Sequence, residues 1–333
     1  LQINVGGQSV LLLSGETAQI SGSDANQLTI SIPDYAVPGE TGLTFTDVKM
    51  TTPLFNVFEG TSSNASRDIT LSGELRDGRL TLNLTPTYKS DIIGVWNLNL
   101  ETDDFGTATL TPISIETEQD ISGSQFIVQI LGALLKGSMA VVNIDFQADG
   151  NLTATYNSNL LNDMMPALSG EQISPVFVHS PLNAIKWYVK DGALYLVPNL
   201  NLMLKNDPSK AQLGPLDPGT ITTVGIPLYF KKEGDKMTVY VSKEQTAPVF
   251  GLLSTVISMI DPSFELSLGG SSLPLRSLLE ALVKPLIDAA LAAERFDLCL
   301  NLVAGAIPEE APQPGEEASA AAVKRLEAFI AQQ

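Results

Sequence analysis

The stretch Ile185-Lys186-Trp187-Tyr188-Val189-Lys190-Asp191-Gly192-Ala193-Leu194-Tyr195-Leu196-Val197-Pro198 decides the fold. Two runs rich in apolar and aromatic residues flank an Asp-Gly pair. The tightest hairpin turns need positive φ at both central positions, which this pair tolerates well. The segment therefore reads as antiparallel strands Ile185–Lys190 and Ala193–Pro198 joined by a two-residue turn.

The same grammar recurs on either side. Toward the N-terminus, Met139–Gln147 and Leu152–Tyr156 meet around Asp149-Gly150. Asp68–Leu75 and Arg79–Leu84 meet at Asp77-Gly78, and Gln2–Val5 and Gln8–Leu13 flank Gly6-Gly7. Leu28, Ile30 and Ile32 alternate with polar neighbours, the period of a half-buried strand. Toward the C-terminus, Thr220–Lys231 and Lys236–Lys243 flank Glu233-Gly234-Asp235. Further strands are expected at Ile92–Leu100, where Trp96, Leu98 and Leu100 share a face, and at Thr107–Glu116, Phe264–Leu268 and Phe296–Val303. A meander of about this many strands suits an up-and-down barrel or a sandwich, which leave few open edges. The expected class is mainly β with inserted helices. An N-terminal antiparallel β domain (1–89) precedes a β-barrel or sandwich with a helical cap (90–305). An acidic Pro-rich linker and a C-terminal helix follow (306–333).

Three segments break the β pattern. Ser124–Lys136 and Ala247–Met259 are apolar on nearly every face, and Leu275–Leu291 is amphipathic with Pro285 inside its stripe. A helix apolar all round has to be covered. Ser124–Lys136 is therefore expected to pack with Leu275–Leu291 over one end of the barrel, as a lid or a plug. Glu309–Glu317 carries prolines and acids with nothing to bury, so it is expected to be extended and solvated, with the helix beyond it weakly packed.

Composition excludes several classes of function. The chain has 333 residues, 44% of them apolar, enough for sizeable cores. Its net charge of −18, from 19 basic and 37 acidic residues, opposes nucleic-acid binding, which needs clustered cations against phosphates. A single cysteine, Cys299, forbids an intrachain disulfide and is read as a packed strand residue. A single histidine, His179, is read as a loop or surface residue, and one imidazole excludes zinc sites built on two or more. No Gly-x-Ser-x-Gly turn, P-loop or dinucleotide fingerprint is present. Neither catalytic residues nor a cofactor are expected. Asp103-Asp104 is the most conspicuous carboxylate pair and is read as part of a turn. The apolar runs Phe126–Leu135 and Val249–Ile260 are shorter than the ~20 residues a bilayer needs.

Gly94-Val95-Trp96 resembles the Gly-x-Trp motif of lipocalins and other calycins. The runs Phe146–Asn151 and Trp187–Gly192 look like the strand–Asp-Gly–strand units of lipocalin-like bacterial proteins. Leu28–Tyr35 followed by Gly42–Val48 is similar to a module of uncharacterised calycin-like envelope lipoproteins of Bacteroidetes. The resemblance implies that Trp96 closes the base of a barrel. It also implies an exported protein of the periplasm, outer membrane or cell surface, with a signal or lipid anchor upstream of Leu1.

The positive lead is aromatic. Trp96, Phe146, Tyr156, Trp187, Tyr195, Phe230 and Tyr240 all fall on expected strands of the second unit, and those facing inward would line an apolar interior. Three readings stand open: a binding module for a lipid or another apolar or amphipathic small molecule, a structural or surface-interaction protein with a filled core, and a carboxylate-dependent hydrolase.

Overall fold

A computed structural model describes residues 1–9, 17–52, 56–99, 112–117, 132, 135–169, 171–199, 202, 218–242, 265–268, 271–274, 276–277, 280–281 and 295–331. The chain is mainly β and builds two large sheets.

The first sheet contains β1 (Gln2–Val5), β2 (Gln8–Ser9), β3 (Gln19–Ser21), β4 (Leu28–Ser31), β5 (Thr44–Thr52), β6 (Val57–Ser63), β7 (Arg67–Arg76) and β8 (Arg79–Tyr88). From β3 to β8 it is a simple antiparallel meander. At the far edge β1 departs from the expected pattern by pairing with β8 in parallel, Ile3 opposite Leu82 and Val5 opposite Leu84. The register puts apolar residues of both strands on one face. Ile3, Val5, Ile69, Leu71, Leu82 and Leu84 thus join Ile30, Phe45 and Phe58 in a buried core. The opposite face is polar, with Thr70, Ser72, Asn83 and Thr85 alternating along β7 and β8, as a sheet with one solvated side requires.

The second sheet closes on itself as an eight-stranded antiparallel barrel. The sheet's ten strands are β9 (Gly94–Leu98), β10 (Ile113–Thr117), β11 (Val141–Phe146), β12 (Asn151–Asn157), β13 (Phe177–His179), β14 (Ile185–Lys190), β15 (Ala193–Pro198), β16 (Ile226–Glu233), β17 (Lys236–Val241) and β20 (Phe296–Ala304), of which all but β10 and β13 make up the closed ring of eight. Within the ring, consecutive strands are neighbours in the wall. Closure comes from β20, whose end pairs with β9, Leu302 opposite Leu98 and Ala304 opposite Trp96. Two places in the wall are shared. The start of β20 pairs with β10 on the edge that its end gives to β9. One edge of β12 carries β13 and then β14. A separate hairpin, β18 (Glu265–Leu268) with β19 (Ser271–Pro274), lies outside the barrel wall.

The barrel's ends differ. At one end lie the short turns after β11, β14 and β16. At Asp191-Gly192 the φ values are +52° and +78°, and Lys190 pairs directly with Ala193, as the turn chemistry demands. At the other end the chain leaves β9, β12, β15 and β17 for longer excursions, whose described parts include α1 (Leu160–Ser169) and α2 (Pro218–Thr223). The segment read as one strand from Thr220 is therefore divided: its start is helical, and β16 begins only after Gly225, whose φ is +95°. Most of the expected lid, Ser124–Lys136, lies outside the described residues, as do Ala247–Met259, Asp103-Asp104 and nearly all of Leu275–Leu291. The one informative contact is Leu135, which packs against the barrel's core.

The acidic tail is not a free linker. Gly315 N donates to His179 O, His179 N to Glu316 O and Ala318 N to Phe177 O, at 2.7–3.0 Å. Residues 315–318 thereby extend the edge at β13, and α3 (Ala320–Ala331) then packs Leu326 and Ile330 against Val142 and Phe177 on the outside of the barrel. Composition argued for a solvated chain because its side chains are polar. A strand edge, however, recruits main chain and leaves those side chains in water.

Candidate functional site

Register and alternation define which side chains enter the barrel. Trp96, Ile144 and Ala154 lie in one cross-strand row, and Phe146, Leu152 and Ile185 in another. Trp187 pairs with Leu196, Leu194 with Leu228, Phe230 with Val239, Val239 with Leu300, and Met237 with Leu302. All of these but Ala154, drawn from every part of the wall, meet in one apolar cluster, which Tyr188, Tyr195 and Val197 join from the opposite face of β14 and β15.

The interior has two levels. At the short-turn end a floor is filled: Trp96, Leu98, Phe146, Trp187, Leu194, Met237 and Leu302 are all buried. The indole nitrogens point out of the floor into backbone. Trp96 Nε1 donates to Ile92 O at 2.8 Å, and Trp187 Nε1 is shared between Gln147 O and Asn151 O, both at 3.1 Å. The ring faces are left to apolar neighbours. Phe146 meets Trp187 edge-on at 5.5 Å, and the tilted ring of Tyr88 lies 5.6 Å from it. Tyr88 comes from the first sheet, held where its N donates to Ala148 O at 2.7 Å. A Cβ on Gly150 would stand 2.6 Å from the Tyr88 ring, so glycine is needed for that close approach.

Toward the long-connection end Val241 and Phe296 are buried, but several other inward residues are only partly covered. Ile144, Ile185, Leu196, Leu228, Phe230, Val239 and Leu300 are half-buried, although they face the barrel interior. Tyr156, the last inward residue of β12, is 36% exposed. These partly exposed side chains form an apolar inward surface above the aromatic floor.

Of the seven aromatics expected to line this interior, Trp96, Phe146, Tyr156, Trp187 and Phe230 face inward, at three different depths. Tyr195 and Tyr240 face outward. Each sits one residue out of phase with inward neighbours, Leu194 and Leu196 in one case, Val239 and Val241 in the other. Outside, Tyr195 stacks on Tyr188 with centroids 4.8 Å apart, and Tyr240 stacks on Tyr229 at 5.5 Å with Lys231 above its ring. The aliphatic wall residues Ile144, Leu196, Leu228, Val239 and Leu300 were missed by a search confined to aromatics. Strict alternation along each strand was the signal for them.

The residues considered for chemistry are elsewhere. His179 is buried on β13 rather than exposed in a loop, because residues 315–318 cover its edge. Its Nδ1 lies 2.8 Å from Ser180 O. Cys299 is buried in β20, and burial pushes its thiol up to about 11, away from nucleophile chemistry. Among the described residues no group of three or more His, Cys, Asp or Glu side chains converges as a metal site. No helix among them is long and apolar enough to cross a membrane.

On the outer wall, a bulge at Val142 places Val142 and Asn143 on the same face. Asn143 and its cross-strand partner Thr155 are both completely buried there. The amide of Asn143 and the hydroxyl of Thr155 have no hydrogen-bond partner.

Together these features define a closed antiparallel β-barrel with an aromatic floor and half-buried apolar side chains above it, joined at the floor to a curled β-sheet. Comparison of the chain with protein-family models, with curated proteins and with solved structures found no match.

Proposed function

We propose that this chain is a calycin-like binding module of the cell envelope that holds an apolar or amphipathic small molecule, such as a lipid, inside the barrel. The observation that carries the reading is the ring of inward-facing, half-buried aliphatic and aromatic side chains above a sealed floor. Such a surface costs about 25 cal/mol per Å² of apolar area left in water, and a ligand that covers it recovers that free energy. The position of Trp96 in the first barrel strand, with its indole N–H tied to Ile92 at the sealed end, supports the calycin likeness that Gly94-Val95-Trp96 suggested. In this reading the ligand is bound and released unchanged.

The test is titration of the purified protein with N-phenyl-1-naphthylamine, whose fluorescence rises on entering an apolar site. Saturable binding that is weakened by Leu196→Trp, which crowds the inward surface, supports the reading. Absence of saturable binding would favour a surface-interaction protein with no ligand.

A further inference from the structure

The C-terminal tail docks on the outer wall as a small unit of its own. Residues 315–318 pair with β13 through main chain, Gly315 N to His179 O, His179 N to Glu316 O and Ala318 N to Phe177 O. Beyond them α3 buries two side chains, Leu326 and Ile330. These meet Val142 and Phe177 in an apolar cluster separate from the one inside the barrel, which no residue of the tail enters.

The polar contacts of the link 305–314 are largely its own. Gly305 N donates to Val95 O at the barrel's edge. Among the described residues the next main-chain hydrogen bonds are local turns, Ala311 N to Pro308 O and Glu316 N to Gln313 O. The ion pair of Glu310, 3.7 Å from Arg325, is with the tail itself. Pro308, Pro312 and Pro314 stiffen the stretch. Register gives the distance the link crosses. Ala304 pairs with Trp96, Trp96 with Ile144 and Ile144 with Ala154, and Ser180 N donates to Ala154 O. The end of β20 and the start of the tail strand thus lie at similar height, with β9, β11, β12 and β13 between them. At ~4.8 Å per strand gap the path along the wall is about 24 Å. Fully extended the link reaches about 35 Å, enough for a released tail to meet a copy alongside.

We propose that the tail is exchangeable: residues 315–331 of a second copy dock on β13, Val142 and Phe177, and two chains trade tails reciprocally in a closed dimer. Complementarity sets the occupant, since this edge and its apolar patch already fit that segment within one chain. Such a dimer keeps the docking contacts of the monomer, which makes exchange a low-cost route to association. A tethered tail competes at a local concentration in the millimolar range. Dilute protein is therefore monomeric, and exchange shows where docking within the chain is blocked or the protein is concentrated.

The test mixes two full-length variants. Phe177→Asp spoils the docking patch and keeps the tail, whereas Leu326→Asp spoils the tail and keeps the patch. Native mass spectrometry of the equimolar mixture should show a heterodimer that neither variant forms alone. The Leu326→Asp component should also recover most of the Tm that its substitution removes. Two folded variants that stay monomeric together overturn the proposal. Should either variant lack a folded circular-dichroism spectrum, the intact protein decides. Refolded at ~1 mM, it should yield a dimer by light scattering. A flexible Gly-Ser insertion after Pro308 should return that dimer to monomer, because a longer link eases docking within one chain. Monomer throughout, or a dimer indifferent to the insertion, overturns the exchange.

Discussion

The ring of Tyr88 lies 5.6 Å from that of Trp187, so the last residue of the first sheet forms part of the barrel's floor. The contact belongs to a larger joint. Gly39, at φ +78°, packs its backbone against the ring of Tyr188, and Tyr188 in turn donates to Val224 O at 2.6 Å. Arg67 and Glu40 form a two-pronged ion pair at 2.7–2.8 Å that holds the preceding loop in place. The floor of the barrel is therefore completed by a residue that the barrel strands do not supply.

Replacing Tyr88 by alanine should cost ~3–5 kcal/mol, the range for truncating a buried aromatic. Chemical denaturation gives the number. The loss should be accompanied by a red shift of tryptophan emission, because Trp187 would gain access to water. A loss below about 1 kcal/mol with unshifted emission would mean that the floor is sealed without this ring.

Removing residues 309–333 should strongly destabilise the protein. Leu326 is fully buried against the outer wall, together with Val142 and Phe177. Truncation would uncover those two side chains and strip the β13 edge of its pairing. The expected fall in Tm is about 10 °C or more, corresponding to several kcal/mol. Leu326→Asp should reproduce most of it by burying an unpaired charge. A Tm within a few degrees of the intact protein would contradict the packing of α3.

The parts of the fold that were legible in the sequence are those written in local chemistry. Asp77-Gly78 and Asp191-Gly192 announce their turns because few other pairs adopt positive φ twice. Alternation around Trp96 and Trp187 located strands that do enter the barrel. What was missed depends on partners distant in sequence. Tyr195 and Tyr240 were grouped with the interior because they are aromatic, although their phase relative to Leu194 and Val239 puts them outside. The docking of 315–318 uses main chain, to which composition is blind. The burial of Asn143 and Thr155 follows from a bulge and an outer covering that no pattern within β11 or β12 foretells.

That buried pair yields a third expectation. Thr155 Oγ1 has no partner, so its burial costs about 1–3 kcal/mol without return. Thr155→Val keeps the shape and removes the hydroxyl, and should raise stability by roughly 1 kcal/mol in a denaturant titration. A loss of similar size would indicate that an internal water serves the hydroxyl and Asn143 together.

Lys186 offers a test that depends on pH. Its Nζ is buried without a hydrogen bond at an outward position of β14, close to the Gly6-Gly7 turn of the first sheet. Desolvation lowers its pKa below the ordinary 10.5, an effect opposed by the nearby Asp149. Between the folded and unfolded values the unfolded chain binds a proton that the folded chain does not, so this group makes stability rise with pH up to about 10.5. Below the folded value the fold carries the full penalty of a buried ammonium. Lys186→Met should therefore be more stable than the parent at neutral pH, and its advantage should shrink as the pH rises toward 10.5. Comparing the two proteins isolates this group, because Tyr88 and Tyr188, whose phenols burial holds above their usual value, contribute to both alike. Denaturation midpoints at a series of pH values decide the matter. A stability difference that stays constant with pH, or a variant less stable at neutral pH, would show that the amine is satisfied in the folded protein and that the first sheet does not desolvate it.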